Sequence, residues 1–300
     1  MDIQILKENR IHGNPLFPLS LYSMECGEGD TLFECHWHDE LELLVINSGK
    51  ALVQVDTDYY ELLSGQAIFI NGGEIHSAHS MGGGRCSFFA IVFGQSLINS
   101  YAYDLPQKNF IDPLIKRKYI LPIHLKGSHK WEEEALSSIN TILSLCVLRP
   151  YAYELIIKGH IYIIFSLLLS NADRKPEKSN YDDNSGKIEK LKRVLAYIQS
   201  NYSEKISLND LARLPGMSEG HFCRFFKAMV NKKPMDYLNC YRVSIAAALI
   251  ENTDEKIIDI SMKTGFDNCS YFIKTFKHYM KCTPSQYRRS KAVPLDCGNI

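Results

Sequence analysis

Between residues 208 and 287 the chain nearly repeats itself. Leu208, Leu211, Ala212, Gly216 and Met217 return 49 positions later as Ile257, Ile260, Ser261, Gly265 and Phe266. Phe222, Phe226, Lys227, Pro234 and Tyr237 return 50 positions later as Phe272, Phe276, Lys277, Pro284 and Tyr287. A short amphipathic run, a small residue facing inward, a Gly four positions on for a tight turn, and a second amphipathic run describe two helices joined at a sharp angle. Ser218 is placed to cap the second helix of the first unit. One such pattern is weak evidence. Two in tandem, with matched Phe, Pro and Tyr positions, predict a pair of helix-turn-helix units.

The helical period sorts the second helix of each unit into faces. Phe222, Phe225 and Phe226 share one stripe and should pack inward, leaving Ser218, Gly220, Cys223, Arg224 and Lys227 outside. In the second unit Phe272, Phe276 and Tyr279 turn inward, leaving Cys269, Ser270, Ile273, Lys274 and Lys277. Cations beside small and apolar groups suit the major groove of double-stranded DNA, where Lys and Arg meet phosphate or guanine and apolar groups meet thymine methyls. Arg224 is the strongest individual candidate, since a guanidinium reaches guanine O6 and N7 together. Between the units, residues 234–250 read as one helix with Pro at its start and Ala246 to Ala248 in its second half. Such a strut would hold two recognition helices in successive groove segments, about 34 Å apart.

The charge distribution agrees. Net charge is zero, but residues 1–186 hold 15 Lys and Arg against 23 Asp and Glu, and residues 187–300 hold 19 against 11. A basic C-terminal part meeting a polyanion, attached to an acidic part with another task, is the simplest interpretation. Over roughly residues 190–289 the chain resembles the AraC-type family of bacterial transcription regulators, in which two helix-turn-helix units are joined by a linker helix. The resemblance rests on Leu211-Ala212, Gly216-Met217-Ser218, Phe226-Lys227, Tyr237, Arg242, Gly265-Phe266, Ser270-Tyr271-Phe272, Phe276-Lys277 and the run Thr283 to Arg288. Where the family ends each recognition helix with Gly, this chain has Asn231 and Lys281, and Ser261 replaces the small Ala of the second unit.

The first half has another rhythm. From about Ile5 to Phe93 short apolar or alternating runs, 42–47, 51–56, 59–63, 67–70 and 86–93, are punctuated by turn residues, as in an all-β barrel or sandwich. Within it, His36-x-His38-x-x-x-Glu42, with Gly49, and Gly65, Asn71, Gly72, Gly73 and His76 resemble the two motifs of the cupin barrel, with Asn71 where Pro is usual and Ser80 where Asn is usual. If residues 36, 38 and 42 share a strand, their equal parity turns two imidazoles and a carboxylate to one face. His36, His38, Glu42 and His76 are the expected effector-binding residues, and the same four could hold a divalent first-row metal. The effector would be a small molecule, a sugar among the conceivable ones. No catalytic residue is assigned. The competing interpretation, a metal-dependent cupin enzyme with an accessory DNA-binding domain, fits poorly with a third of the chain being DNA-binding machinery.

The resulting fold class is multidomain α and β: a cupin-like β-barrel with a helical hairpin, then an all-α domain of two helix-turn-helix units and a linker helix. The expected boundaries are a barrel over 1–127, a hairpin over 128–170, a flexible linker over 171–186, the DNA-binding domain over 187–291 and a tail over 292–300. The hairpin is read from helical spacing after Lys130, a break at Pro150, and a nearly all-apolar stretch from Tyr151 to Leu169 that should be buried on nearly every side and should contact a second subunit in a homodimer. Its apolar core, 155–169, is 15 residues interrupted by Lys158, Gly159 and His160, too short for a bilayer. No basic and apolar leader opens the sequence, and nine cysteines without a Cys-x-x-Cys pair read as free thiols, so a cytoplasmic protein without a membrane partner is expected.

Overall fold

The computed structural model describes residues 7–292 apart from 9, 28–30, 83, 101, 175–180 and 231. Asn231 and all but the first residue of the expected tail therefore lie outside the described residues. The chain divides into two compact units, one over Lys7–Asn184 and one from Ser185 onward.

The first unit opens with eight strands: β1 (Leu19–Cys26), β2 (Thr31–His36), β3 (Leu41–Ser48), β4 (Lys50–Val55), β5 (Asp58–Leu63), β6 (Ala67–Ile70), β7 (His76–Ser80) and β8 (Cys86–Phe93). A π-helical stretch, Gln107–Ile111, runs into α1 (Asp112–Ile115), followed by β9 (Tyr119–Ile120), β10 (His124–Leu125), α2 (Lys130–Leu148), α3 (Tyr153–Ser170) and β11 (Asp173–Arg174). One sheet has the order β1-β8-β3-β6-β10 and the other β2-β7-β4-β5, all pairs antiparallel. Leu44, Ile46, Ile68 and Phe88 of the first sheet meet Leu32, Val53, Leu62 and Ala78 of the second. The opposite face of the first sheet, with Leu43, Phe69 and Ile91, packs against Ile139, Ile142, Ile161 and Phe165 of α2 and α3. That second cover explains why Leu41 to Ile46 are all buried and show no alternation. Each fully buried Leu, Ile or Phe contributes about 1.5–3 kcal/mol.

The helical hairpin turns around Pro150 with Arg149 and Ala152 both left-handed, at φ 46° and 63°. Its second helix departs from the expectation of burial on nearly every side. Only the stripe of Ile157, Ile161, Ile164, Phe165 and Leu168 is buried, while Leu155 is 74% exposed and Val147, Leu148, Tyr151 and Ile163 are exposed beside it. The helix also runs to 18 residues, long and apolar enough by length and composition to cross a membrane, although its inner stripe is part of the barrel-side core. The expected linker is shorter than composition suggests. Asp173 and Arg174 pair with Ile120 and Tyr119, and a helix begins at Tyr181, leaving 175–180 outside the described residues.

The second unit is helical: α4 (Tyr181–Asn201), α5 (Leu208–Arg213), α6 (Glu219–Val230), α7 (Pro234–Asn252), α8 (Ile257–Lys263), α9 (Cys269–Met280) and α10 (Pro284–Ala292). A reciprocal capping box between Ser207 and Asp210 starts α5, and the Asn268 side chain accepts from Tyr271 N to start α9. The turns between α5 and α6 and between α8 and α9 pass through Gly216 and Gly265, at φ 69° and 81°, a conformation that a Cβ disfavours. Phe266, Phe272, Phe276 and Ile260 form a core against Val243, Ala246 and Ile250 of α7.

Candidate functional site

His36 closes β2, His38 lies in the turn that follows, Glu42 is the second residue of β3, and His76 opens β7 in register with His36. The single-strand parity expected for 36, 38 and 42 is therefore incorrect: the strand ends at His36, and a turn plus three strands bring the groups together. All four side chains are buried. Glu42 Oε2 lies 3.1 Å from His38 Nε2 and 3.3 Å from His76 Nε2, and coordinating nitrogens of His36, His38 and His76 all fall within 4.8 Å of one another.

The outer ring nitrogens decide what this cluster can accept. His36 Nδ1 donates to Glu34 O at 2.8 Å, His38 Nδ1 to Glu40 O at 3.2 Å and His76 Nδ1 to Glu74 O at 2.8 Å. A carbonyl oxygen only accepts, so each Nδ1 carries hydrogen; His38 also donates through Nε2 to the Glu42 carboxylate, which likewise only accepts, while a neutral His36 turns a bare Nε2 inward. Burial, reinforced by His76, lowers the His36 pKa to about 3, so this ring is neutral. Burial also acts to lower His38, but the hydrogen bond and charge of Glu42 outweigh it and raise its pKa. Glu42, despite burial, is held below the ordinary carboxylate range by its bonds to His38 and His76. His76 Nε2 is buried without a well-aligned hydrogen bond. The bare His36 Nε2 and the Glu42 carboxylate are buried acceptors that a donor or a cation satisfies.

Sequence reasoning missed that the segment before β1 covers these groups. Lys7 bridges to Trp37, Glu8 N donates to Trp37 O at 2.9 Å, and Glu8 Oε2 reaches 3.6 Å from His36 Nε2. The His12 ring lies 5.8 Å from that of His38 and tilted 55° to it, donates or accepts at Tyr22 Oη at 3.0 Å, and keeps a buried Nε2 without a partner. No spacing or periodicity marks Glu8 and His12. The departure at Asn71 has a local reason: its backbone N–H donates to Glu74 Oε2 at 2.8 Å, a bond that proline would remove. Ser80 Oγ, at the other departure, donates to Gly27 O at 2.9 Å. Glu74 in turn meets Arg117, and burial raises its pKa to about 7 against that charge.

In the second unit the expected outward stripes are outward. Ser218 just before α6, Gly220, Arg224 and Lys227 on it and Ser270, Ile273, Lys274 and Lys277 on α9 are exposed, whereas Cys223 and Cys269 are half-buried. Phe222, Phe226, Phe272 and Phe276 are buried, with Phe225 and Tyr279 only half so. His221 and His278, which the sequence reading passed over, are exposed on the same helices. Arg242 holds the geometry from inside. Its Nε donates to Tyr202 O at 2.8 Å, its Nη2 to Glu204 O at 2.7 Å, and its guanidinium lies over Phe266 beside Gly265. Lys281 ends α9 in the left-handed conformation at φ 60°, where the family has Gly.

Comparison with known proteins follows the same division. Residues 22–124 match the model of the AraC-like ligand binding domain, and residues 211–290 match that of a helix-turn-helix domain. The chain is 28% identical over 294 residues to the uncharacterized HTH-type transcriptional regulator YdeC of Bacillus subtilis (strain 168), covering 95% of this chain and 97% of that one. It is 23% identical over 295 residues to the melibiose operon regulatory protein of Escherichia coli (strain K12), covering 91% of each. To the transposon Tn10 TetD protein of Escherichia coli it is 33% identical over 116 residues, 39% of this chain and 84% of TetD.

Proposed function

Because the chain belongs to the AraC-type family of helix-turn-helix transcriptional regulators, we propose that His36, His38, Glu42 and His76 bind its effector and that the outward faces of α6 and α9 read its operator. It is a DNA-binding regulator with a ligand-binding domain, not an enzyme. The observation that carries the effector assignment is the buried His36 Nε2 and the Glu42 carboxylate, set among rings that are each fixed by a carbonyl behind them, with Glu8 and His12 close by. Such acceptors select a ligand rich in hydroxyl donors, and a sugar satisfies that chemistry. A melibiose operon regulator among the relatives supports the same class. Effector binding would shift the balance between arrangements of differing DNA affinity.

A second reading has its own observation. Nδ1–carbonyl bonds behind three histidines are the outer-sphere arrangement that orients imidazoles toward a metal, and Glu42 would complete a four-ligand set for a divalent first-row ion. Elemental analysis of the purified protein separates the two. Close to one equivalent of metal, lost in His38→Ala, establishes the metal. Metal-free protein whose thermal midpoint rises with one member of a sugar panel, a rise abolished by His38→Ala, establishes the sugar site. Metal-free protein that no sugar stabilises sinks both.

The exposed apolar face of Val147, Leu148, Tyr151, Leu155 and Ile163 supports a homodimer through the hairpin, since a patch of this kind on a monomer is a liability. A DNA partner supports a cytoplasmic location for the working protein.

A further inference from the structure

Cys26 is the last residue of β1 and Cys86 the first of β8, and the two are direct partners across the ladder. Gly94 N donates to Pro18 O at 2.8 Å, which makes 18 and 94 a hydrogen-bonded pair. Counting along the antiparallel register, the Cys26–Cys86 pair has the same character, with Cα atoms about 5.5 Å apart, inside the span that a disulfide bridges. Both side chains turn to the same face and belong to the core enclosed by the two sheets. Neither is in a disulfide, and among the described residues no other two cysteines are ladder partners.

The two sulfurs differ in access. Cys86 is 1% exposed, and the turn between β3 and β4 is pressed onto it: a Cβ at Gly49 would lie 2.6 Å from Arg85 O and 3.0 Å from Cys86 Cα. Cys26 is half-buried and sits at the end of β1, an edge strand hydrogen-bonded only to β8. One partner is fixed and shielded, while the other is nearer solvent, its thiol donating only a long bond of 3.9 Å to Thr31 O.

We propose that Cys26 and Cys86 are a redox modification site, closing to a reversible cross-strand disulfide when the protein meets a peroxide. Cys26 sulfur attacks hydrogen peroxide: an S–O bond forms, the O–O bond breaks, and the departing oxygen leaves as water with the thiol proton. Cys86 sulfur then attacks Cys26 sulfur, the S–S bond forms as the S–O bond breaks, and the departing hydroxide takes the Cys86 proton as a second water. Two thiols lose two electrons, and the peroxide accepts them. Burial raises the Cys86 pKa, in keeping with a resolving thiol that waits protonated. The residue after Cys26 accepts from Ser80 at the end of β7, so the bridge would tie together the corner where the two sheets meet.

The test uses the full chain. The protein is treated with stoichiometric hydrogen peroxide, alkylated, digested without reduction and read by mass spectrometry. The expected product is a Cys26 peptide joined to a Cys86 peptide, two hydrogens lighter than the reduced pair and released by dithiothreitol. It should vanish in Cys26→Ser and Cys86→Ser and persist in Cys35→Ser, and Cys86→Ser should leave Cys26 as a sulfenic acid trapped by dimedone. Recovery of both cysteines alkylated after treatment, or of Cys26 joined to a different cysteine, overturns the proposal.

Discussion

Gly216 and Gly265 make the same turn in the two helix-turn-helix units, yet their surroundings differ. A Cβ at Gly216 would meet open space, while one at Gly265 would overlap the Tyr202 carbonyl and the Arg242 guanidinium. The second unit is also tied to its strut by hydroxyls: Tyr271 accepts from Asn239, Tyr279 donates to Asp236 O and Tyr287 to Glu251. At two of the three matching positions the first unit has His221, which is exposed, and Met229, which is buried, while the third is again a tyrosine, Tyr237. A duplicated pattern therefore carries two mountings, one built on apolar contact and one locked by polar bonds at fixed lengths. The lesson is that sequence equivalence between repeats does not carry over to tolerance of change.

Alanine at the two glycines gives the largest expected contrast. Both substitutions place a Cβ at positive φ, which costs about 1 kcal/mol. Gly265→Ala adds overlap with backbone and a buried guanidinium, for a total of about 3 kcal/mol or more. Urea unfolding of the full chain measures both, and equal losses would break the comparison. On DNA, Arg224→Ala should cost about 1–3 kcal/mol on the operator and little on random sequence, the mark of a base contact. Lys274→Ala should relax preference only in the half-site of the second unit, in a footprint of two segments roughly 10 bp apart. A single protected segment would leave only one of the mountings reading bases. The smallest effect should come from Lys281→Gly, which removes a side chain from a left-handed helix end and should raise stability by about 1 kcal/mol. An unchanged thermal midpoint would mean that the Lys281 bond to His278 O offsets the backbone cost.

The repeat was legible because its signals are local: Gly at a turn, Phe at i and i+4, Pro at a helix start. The barrel was read less completely. β3, β4, β5, β6 and β8 carry apolar runs, but β7 (HSAHS) is polar where it holds the site, β2 is irregular in its pairing with β7, and β1 is a half-exposed edge. Their pairing is decided by partners remote in sequence, which no window of residues displays. The motif marks the four residues that the fold brings together, while Glu8 and His12 reach the cluster through contacts that carry no periodicity. The reach of α3 was misjudged because composition does not reveal that one stripe faces the barrel and the other stays bare.

Arg242 carries a further consequence when the chain is followed in the order of its synthesis. Tyr202 and Glu204 leave the ribosome about forty residues before the side chain that binds their carbonyls. Gly265, which closes over the same corner, follows later, and at cellular elongation rates the whole interval is on the order of several seconds. Until then the carbonyls of Tyr202 and Glu204 lack the guanidinium that binds them. The nascent domain is thus completed from its far end backward, and a chain stalled before Gly265 contains every residue of the first unit without the piece that seals the corner beside it.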